Sequence, residues 1–184
     1  MNFDSISIIR IKDISADDFF NLIERNRSYL ELGFPYTILK CSDKKSTASY
    51  LKEKIQFEDD KKLYNFYLRD LKSDILIGYI NIKNINFNAS KCEFGYFIDQ
   101  SYQGNNITSK AIHKIIPFCF EKLKMNKIFI CTDKKNIGSQ KVAIKNGFIR
   151  EGILRKEFKD PKGRFHDVVY FGLLKTDYYQ NLKG

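Results

Sequence analysis

Cysteine, histidine and proline are scarce in this chain of 184 residues, which has four cysteines, two histidines and three prolines. The cysteines form no CxxC pair, and a structural zinc site needs clustered Cys and His ligands, so we expect no metal. The chain has no low-complexity stretch and no region rich in proline and glycine that would mark a linker. We therefore expect residues 1–184 to form a single domain.

Long hydrophobic runs are also absent, since no segment approaches the roughly 20 uncharged apolar residues that cross a bilayer. The N-terminal sequence MNFDSISIIRIKD lacks the basic region and the apolar region of a signal peptide. These absences predict a cytoplasmic protein without a membrane partner.

The composition is 43% hydrophobic and 15% aromatic, which is enough for one globular core. The net charge of +10 favours anionic partners such as phosphates. The lysines are spread along the chain without a dense basic block, however, and no aromatic RNA-binding motif accompanies them. We therefore expect no direct binding of nucleic acid.

Hydrophobic periodicity predicts an α+β fold with a mixed, mostly antiparallel sheet, in the order β-α-α-β-β-β-α-β-α-β-β. Gly33 and Pro35 predict an irregular stretch over 27–37, and Pro117 should kink the third helix. The predicted strands are 5–13, 63–71, 75–85, 91–99, 127–132, 148–158 and 164–174. The predicted helices are 15–26, 45–60, 108–123 and 137–148.

The segment EFGYFIDQSYQGNNITSKAI, residues 93–112, predicts a strand, a turn and a helix. The first N–H groups of a helix have no partners inside it, and together with the helix dipole they attract anions. Gly104 permits close approach of the backbone to a ligand, the following asparagines tolerate left-handed conformations, and Thr108 could cap the helix. By itself this pattern also fits an ordinary capped helix.

The segment NIGSQKVAIKNGFIREGILR, residues 136–155, follows a short buried strand. Asn136 precedes a helix, where its amide could bridge two separating strands or bind a ligand. Ser139 lies in the first helical turn on the same face as Val142 and Ala143. Ser139 also fits a structural role at the start of the helix.

Taken together, these motifs resemble the GCN5-related N-acetyltransferases (GNAT), and more closely the branch that acetylates the N-terminal amine of ribosomal proteins. The resemblance also rests on EFGYF (93–97), on NRxYL (26–30) with GFPY (33–36), and on DxxYFGLL (167–174). It covers nearly the whole chain. The phosphate loop departs from the family pattern, because Asn106 replaces a central glycine and Thr108 a small residue.

This resemblance implies a GNAT-type fold and an acyltransferase that moves the acetyl group of acetyl-CoA to a primary amine, without a metal. The implied acceptor is the N-terminal α-amine of a protein, and a ribosomal protein fits best. A small-molecule amine, such as an antibiotic or a polyamine, is the alternative, and a non-catalytic CoA-binding regulator is another. The resemblance suggests a monomer or a homodimer.

The resemblance also assigns roles to single residues. It makes Glu93 the catalytic base, acting through water, although a strand carboxylate paired with a nearby lysine is an equal reading. It makes Ser139 the donor to the departing thiolate, since Ala143 occupies the position of a tyrosine in other members. The implied CoA-binding residues are Tyr96, Phe97, Ile98, Gln103, Gly104, Asn105, Asn106, Ile107, Thr108 and Asn136. Phe34 and Tyr36 should line the acceptor side together with the 158–166 turn. His166 of this turn could orient a substrate, although a lone histidine in a basic turn is more often solvated.

Overall fold

The computed structural model describes residues 1–181, and the predicted α+β class and element order are confirmed. The strands within this range are β1 (Asn2–Phe3), β2 (Ile6–Arg10), β3 (Tyr64–Asp70), β4 (Ile75–Asn86), β5 (Lys91–Ile98), β6 (Lys127–Asp133), β7 (Ile149–Lys159) and β8 (Phe165–Leu174). The helices are α1 (Ala16–Leu30), α2 (Pro35–Lys40), α3 (Lys44–Asp59), α4 (Ile107–Pro117), α5 (Ile137–Lys145) and α6 (Lys175–Asn181). The structure adds the short β1, α2 and α6 to the predicted elements.

The chain divides into two compact units. The N-terminal unit contains Met1–Asn81 and Tyr96–Thr108, and the C-terminal unit contains Ile82–Gly95 and the chain from Ser109 onward. Strands β4 and β5 and helix α4 therefore contribute residues to both units.

In the N-terminal unit the strands follow the order β1-β2-β3-β4-β5, and β2 is antiparallel to both β1 and β3. Helix α1 begins after Ser15, whose hydroxyl accepts a hydrogen bond from the backbone N–H of Asp18 at 3.0 Å. The apolar faces of α1 and α3 pack on the strands in one aromatic core, in which Phe19 meets the edge of Tyr67 at 5.4 Å between ring centroids. This core supports the end of β5.

In the C-terminal unit the order is β4-β5-β6-β8-β7. Strand β6 is parallel to β5 and antiparallel to β8, and β7 and β8 form the predicted final hairpin. The register pairs Lys91–Glu93 of β5 with Lys127–Phe129 of β6. The predicted apolar stripe of α4 is buried, with Ala111, Ile112 and Ile115 fully inaccessible to solvent.

The prediction of an irregular stretch over 27–37 was wrong, because α1 extends to Leu30 and α2 begins at Pro35. Proline suits the first helical position, since the N–H group that it lacks would have no partner inside the helix there. Gly33 accordingly lies between two helices.

The predicted helix 108–123 is in fact shorter, because α-helical geometry ends at Pro117 and a π-helical turn covers Phe118–Lys122. The wider turn closes with the hydrogen bond from the Leu123 N–H to the Phe118 carbonyl, at 3.0 Å. Proline removes a backbone donor from the helical ladder, which favours such a local change of pitch. Instead of the expected kink, the structure shows a change from α-helix to π-helix after Pro117.

Candidate active site

The loop before α4 exposes four consecutive residues, Gln103 to Asn106, to solvent. Gly104 and Asn106 have positive φ values of 80° and 60°, as the Gly and Asn content predicts. A Cβ at Gly104 would meet no protein atom within 4 Å, so within the protein it is the positive φ that favours glycine here, and the predicted close approach of a ligand stays a prediction. Helix α4 begins at Ile107, so Thr108 is a buried residue of the first turn, and its predicted role as the cap is wrong.

The loop is anchored to α1 by residues whose roles the sequence did not predict. The buried Asn26 side chain accepts a hydrogen bond from the Gln100 backbone N–H at 3.0 Å and donates to the Leu22 carbonyl at 2.9 Å. Arg25 donates to the Asp99 carboxylate at 3.0 Å and to the Leu76 carbonyl at 2.8 Å. These contacts fix the 3₁₀ turn that leads into the loop.

Asp99 and Tyr29 also form hydrogen bonds with residues of this turn and loop. Burial alone would raise the pKa of Asp99, but hydrogen bonds from Ser101, Asn26 and Arg25 outweigh it and lower the pKa below its usual value. Tyr29 hydrogen-bonds with the Gln103 side chain, and burial raises the pKa of its hydroxyl. The turn before the loop therefore contains a carboxylate, that of Asp99, which stays ionised at neutral pH.

The end of β5 places Phe97 and Ile98 in the buried interior and Tyr96 at the border of solvent. The Phe97 ring meets the edge of the Phe34 ring at 4.9 Å between centroids. Phe34 is thus half-buried against the aromatic core. Tyr36 is 48% exposed, and its hydroxyl donates to Glu53 at 3.1 Å. Of the two residues predicted on the acceptor side, Tyr36 is the one with an accessible ring.

Glu93 is buried on β5 of the C-terminal unit and is held at both carboxylate oxygens. Its Oε1 forms a salt bridge with Lys83 Nζ at 3.2 Å, and its Oε2 accepts a hydrogen bond from Asn84 Nδ2 at 2.6 Å. Asn84 has a φ of 48° inside β4, a left-handed conformation that asparagine adopts more readily than most residues. The carboxylate pairs with a lysine, as one reading of the sequence held, but it is buried and fixed.

Two further titratable side chains lie near the Glu93 charge. Burial raises the pKa of Cys131 to about 12, and the Glu93 charge adds to this effect. Burial also raises the pKa of Tyr170 to about 12, with further contributions from Cys131, Glu151 and Glu93. Both groups are neutral near pH 7, so neither adds a charge to the surroundings of the carboxylate.

Asn136 caps α5, because its Oδ1 accepts a hydrogen bond from the Ser139 backbone N–H at 3.0 Å. Ser139 lies in the first turn, as predicted. Asn146 closes the other end of this helix and donates to the Ser109 hydroxyl of α4 at 3.0 Å. The Asn136 carbonyl oxygen of the side chain therefore caps its own helix, while its backbone N–H donates to the Asp133 carbonyl at the end of β6 at 2.9 Å.

His166 is not solvated, contrary to the sequence-based expectation. Its Nδ1 lies 3.0 Å from Asp133 and its Nε2 lies 3.1 Å from Asp160, so the ring links the end of β6 to the tip of the β7–β8 hairpin. Asp160 also accepts hydrogen bonds from the Arg164 side chain at 2.7 Å and the Arg164 backbone N–H at 2.8 Å. The Asp160 carboxylate, which is buried, therefore holds the 158–166 turn in place through these hydrogen bonds.

Across residues 1–181, no group of three or more His, Cys, Asp or Glu side chains is arranged to hold a metal ion. Within the same range, no helix has both the length and the apolar character needed to cross a membrane.

Comparison with known proteins identifies the family. The model of the acetyltransferase (GNAT) domain matches residues 8–149. The chain belongs to the GNAT family. Membership confirms the acyltransferase class and the GNAT-type fold that the motifs implied.

Curated relatives of this GNAT chain differ in their named acceptors. A putative ribosomal N-acetyltransferase of Bacillus subtilis, YdaF, is 35% identical over 103 residues, which is 56% of each chain, so the match spans about half of that relative. The ribosomal-protein-serine acetyltransferase of Escherichia coli is 26% identical over 155 residues, 83% of this chain and 84% of that protein. A spermidine N(1)-acetyltransferase of Vibrio cholerae is 26% identical over 132 residues, 66% of this chain and 75% of that protein.

Solved structures share the fold along nearly the whole chain. The ribosomal-protein-S5-alanine acetyltransferase from Vibrio fischeri matches with a TM-score of 0.84 at 22% identity, covering 97% of both chains. RimL, a ribosomal L7/L12 α-N-protein acetyltransferase solved in complex with coenzyme A, matches with a TM-score of 0.84 at 16% identity, covering 94% of this chain and 95% of that one. These likenesses establish the fold.

Proposed function

We propose that this chain transfers the acetyl group of acetyl-CoA to a primary amine, and that residues 1–184 act as one N-acetyltransferase domain. The observation that carries the proposal is the Glu93 carboxylate, which is buried and held at both oxygens. It lies on the strand that continues directly into Tyr96–Ile98 and the loop of α4. A fixed, buried carboxylate in a GNAT chain is suited to receive the proton of an amine.

The residues of the loop fit the phosphates of acetyl-CoA. Gln103 to Asn106 are exposed, two of them have left-handed backbones, and the first N–H groups of the 11-residue α4 follow directly. Such N–H groups bind anions, and any residue except proline supplies one, so Asn106 can replace the family's glycine. We assign Gln103, Gly104, Asn105, Asn106, Ile107 and Thr108 to the phosphates.

The remaining cosubstrate contacts are assigned to β5 and α5. The pairing of β5 with β6 ends at Glu93, and β5 continues for five residues beyond it. An extended ligand can add to the strand edge that faces β6 in this part of β5. We assign Tyr96, Phe97 and Ile98 to this role, with a backbone N–H of Phe97 or Ile98 as donor to the thioester oxygen. The Asn136 carbonyl is used in the helix cap, which leaves its amide nitrogen as a donor to the cosubstrate.

The reaction then needs one proton acceptor and one proton donor. The acceptor amine loses a proton to Glu93, directly or through water, and its nitrogen attacks the thioester carbon. The attacking nitrogen loses its second proton as the carbon–sulfur bond breaks, and the sulfur leaves as the thiol of CoA with a proton from Ser139 or water. The second nitrogen proton restores the one given by that donor, so the net reaction releases only the proton that Glu93 accepted. An N-terminal α-amine has a pKa of about 8, so its deprotonation at neutral pH requires little driving force.

We further propose the N-terminal α-amine of a ribosomal protein as the acceptor. The names of two of the relatives above and of the two solved structures described above support this assignment. Phe34 and Tyr36 are assigned to the acceptor side, where Tyr36 offers an exposed ring. A cytoplasmic location and a monomeric or homodimeric state stay predictions.

A small polyamine is the second candidate acceptor, because one relative is a spermidine acetyltransferase. The net charge of +10 argues against it, since a polycation is repelled by a basic protein. Ribosomal-protein N-terminal peptides, spermidine and aminoglycosides therefore form the acceptor panel.

The test is release of the CoA thiol from acetyl-CoA with each member of this panel. We expect turnover with the peptides and much less with spermidine. Glu93→Gln should lower kcat and leave the KM for acetyl-CoA unchanged, because the amide cannot accept the proton. A kcat equal to that of the natural protein would remove Glu93 as the base. Binding of acetyl-CoA without turnover on any amine would instead favour the regulator.

A further inference from the structure

The Glu93 site already contains an ammonium group. Lys83 Nζ lies 3.2 Å from Glu93 Oε1, while Asn84 donates to the other oxygen at 2.6 Å. The primary ammonium of a lysine side chain and a protonated acceptor amine are the same chemical group. The site is therefore filled, in the described state, by an analogue of its own substrate.

The three members of this cluster differ in how easily they can move. The Glu93 side chain is 8% exposed, whereas the Lys83 side chain is 45% exposed and is attached through four methylene groups. Asn84 is also exposed, but its side chain has a single methylene group, so its amide stays close to the backbone of β4. Lys83 is thus the partner that can leave toward solvent while Glu93 and Asn84 stay in place.

We propose that Lys83 occupies the subsite of the acceptor ammonium and is displaced when an acceptor binds. This inference rests on the proposed function, because it takes Glu93 as the group that receives the acceptor. Displacement exchanges one ammonium for another, so the buried carboxylate is never left without a cation, which would be costly. Lys83 then sets the acceptor affinity by competing with it.

The removal of Lys83 should consequently strengthen acceptor binding. A partly exposed ion pair is weak, so we expect a decrease of about two- to five-fold in the acceptor dissociation constant for Lys83→Met. Lys83→Arg keeps the positive charge and should bind like the natural protein. Lys91→Met is the matched control, because Lys91 lies on the same strand as Glu93 but contacts the Phe129 ring, at 6.0 Å.

The experiment measures binding of alaninamide, a simple α-amine that is mostly protonated at pH 7, by NMR titration without acetyl-CoA. Tighter binding in Lys83→Met alone supports the proposal, and the gain should disappear in the double variant that also carries Glu93→Gln. Unchanged or weaker binding in Lys83→Met, or an equal gain in Lys91→Met, overturns it.

A parallel thiol-release assay separates this inference from the proposed function. The proposal predicts a lower acceptor KM in Lys83→Met with an unchanged KM for acetyl-CoA. If no amine supports turnover, the proposed function fails, and the titration still decides whether Lys83 competes for an ammonium site.

Discussion

The packing at Gly78 on β4 predicts a link between stability and the candidate site. A Cβ at this position would lie 3.0 Å from Leu68 Cδ1 and 3.1 Å from the Phe97 carbonyl oxygen. The leucine side chain can shift, but the carbonyl belongs to the backbone of β5 next to Tyr96 and Ile98. Gly78→Ala must therefore displace the strand that we assign to acetyl-CoA.

The magnitude follows from two opposing terms. Forcing an extra methyl group into a packed interior costs about 1–3 kcal/mol. Replacing glycine with alanine also reduces the conformational entropy of the unfolded chain, which stabilises the native state by about 0.4–1 kcal/mol. At the middle of both ranges the net loss in free energy of unfolding is about 1.3 kcal/mol, and for a chain of this size it lowers Tm by about 3–5 °C. The KM for acetyl-CoA should rise at the same time.

The assay is urea unfolding together with the KM for acetyl-CoA, and Gly33→Ala is the matched control. Gly33 lies in the same unit, and a Cβ there would meet nothing within 4 Å. The control should therefore be neutral or stabilised by up to about 1 kcal/mol. If Gly78→Ala were as stable as the control, the reasoning would be refuted, because the contacts with Leu68 and Phe97 would not require glycine at position 78.

Two further predictions concern titratable groups. Burial alone would raise the pKa of Asp160, but hydrogen bonds from the Arg164 backbone, His166 and the Arg164 side chain outweigh it and lower the pKa. The stability from this carboxylate is therefore present above the unfolded pKa of about 4 and is lost as the pH falls toward the lower folded value. Asp160→Asn should show a shallower fall of Tm with acidification below about pH 5 by differential scanning fluorimetry, and parallel curves would contradict this. Burial raises the pKa of Cys41 to about 11 and of Cys131 to about 12 and also raises that of Cys119, so these three native thiols should react slowly with a disulfide reagent at pH 8, and all four cysteines of the chain should react after unfolding. Rapid labelling of two or more native thiols would refute it.

Local patterns in the sequence predicted most elements because their causes are local. Ser15 caps α1 through a bond to a residue three positions along, and the apolar stripe of α4 follows the helical period. Asn106 adopts the left-handed conformation expected of its residue type. The start of α2 at Pro35 was missed, since proline both ends helices and begins them.

The sequence by itself determined the family and the order of the longer strands and helices, because these depend on periodicity and on short motifs, while the site residues that it proposes stay predictions. Only the tertiary structure decided the charged surroundings of those residues. Glu93 meets Lys83 and Asn84 from a neighbouring strand, Gln100 is held by Asn26 from a distant helix, and His166 lies between two aspartates. Such partners lie on different strands, helices or turns, and only strand register and packing bring their polar atoms within hydrogen-bonding distance.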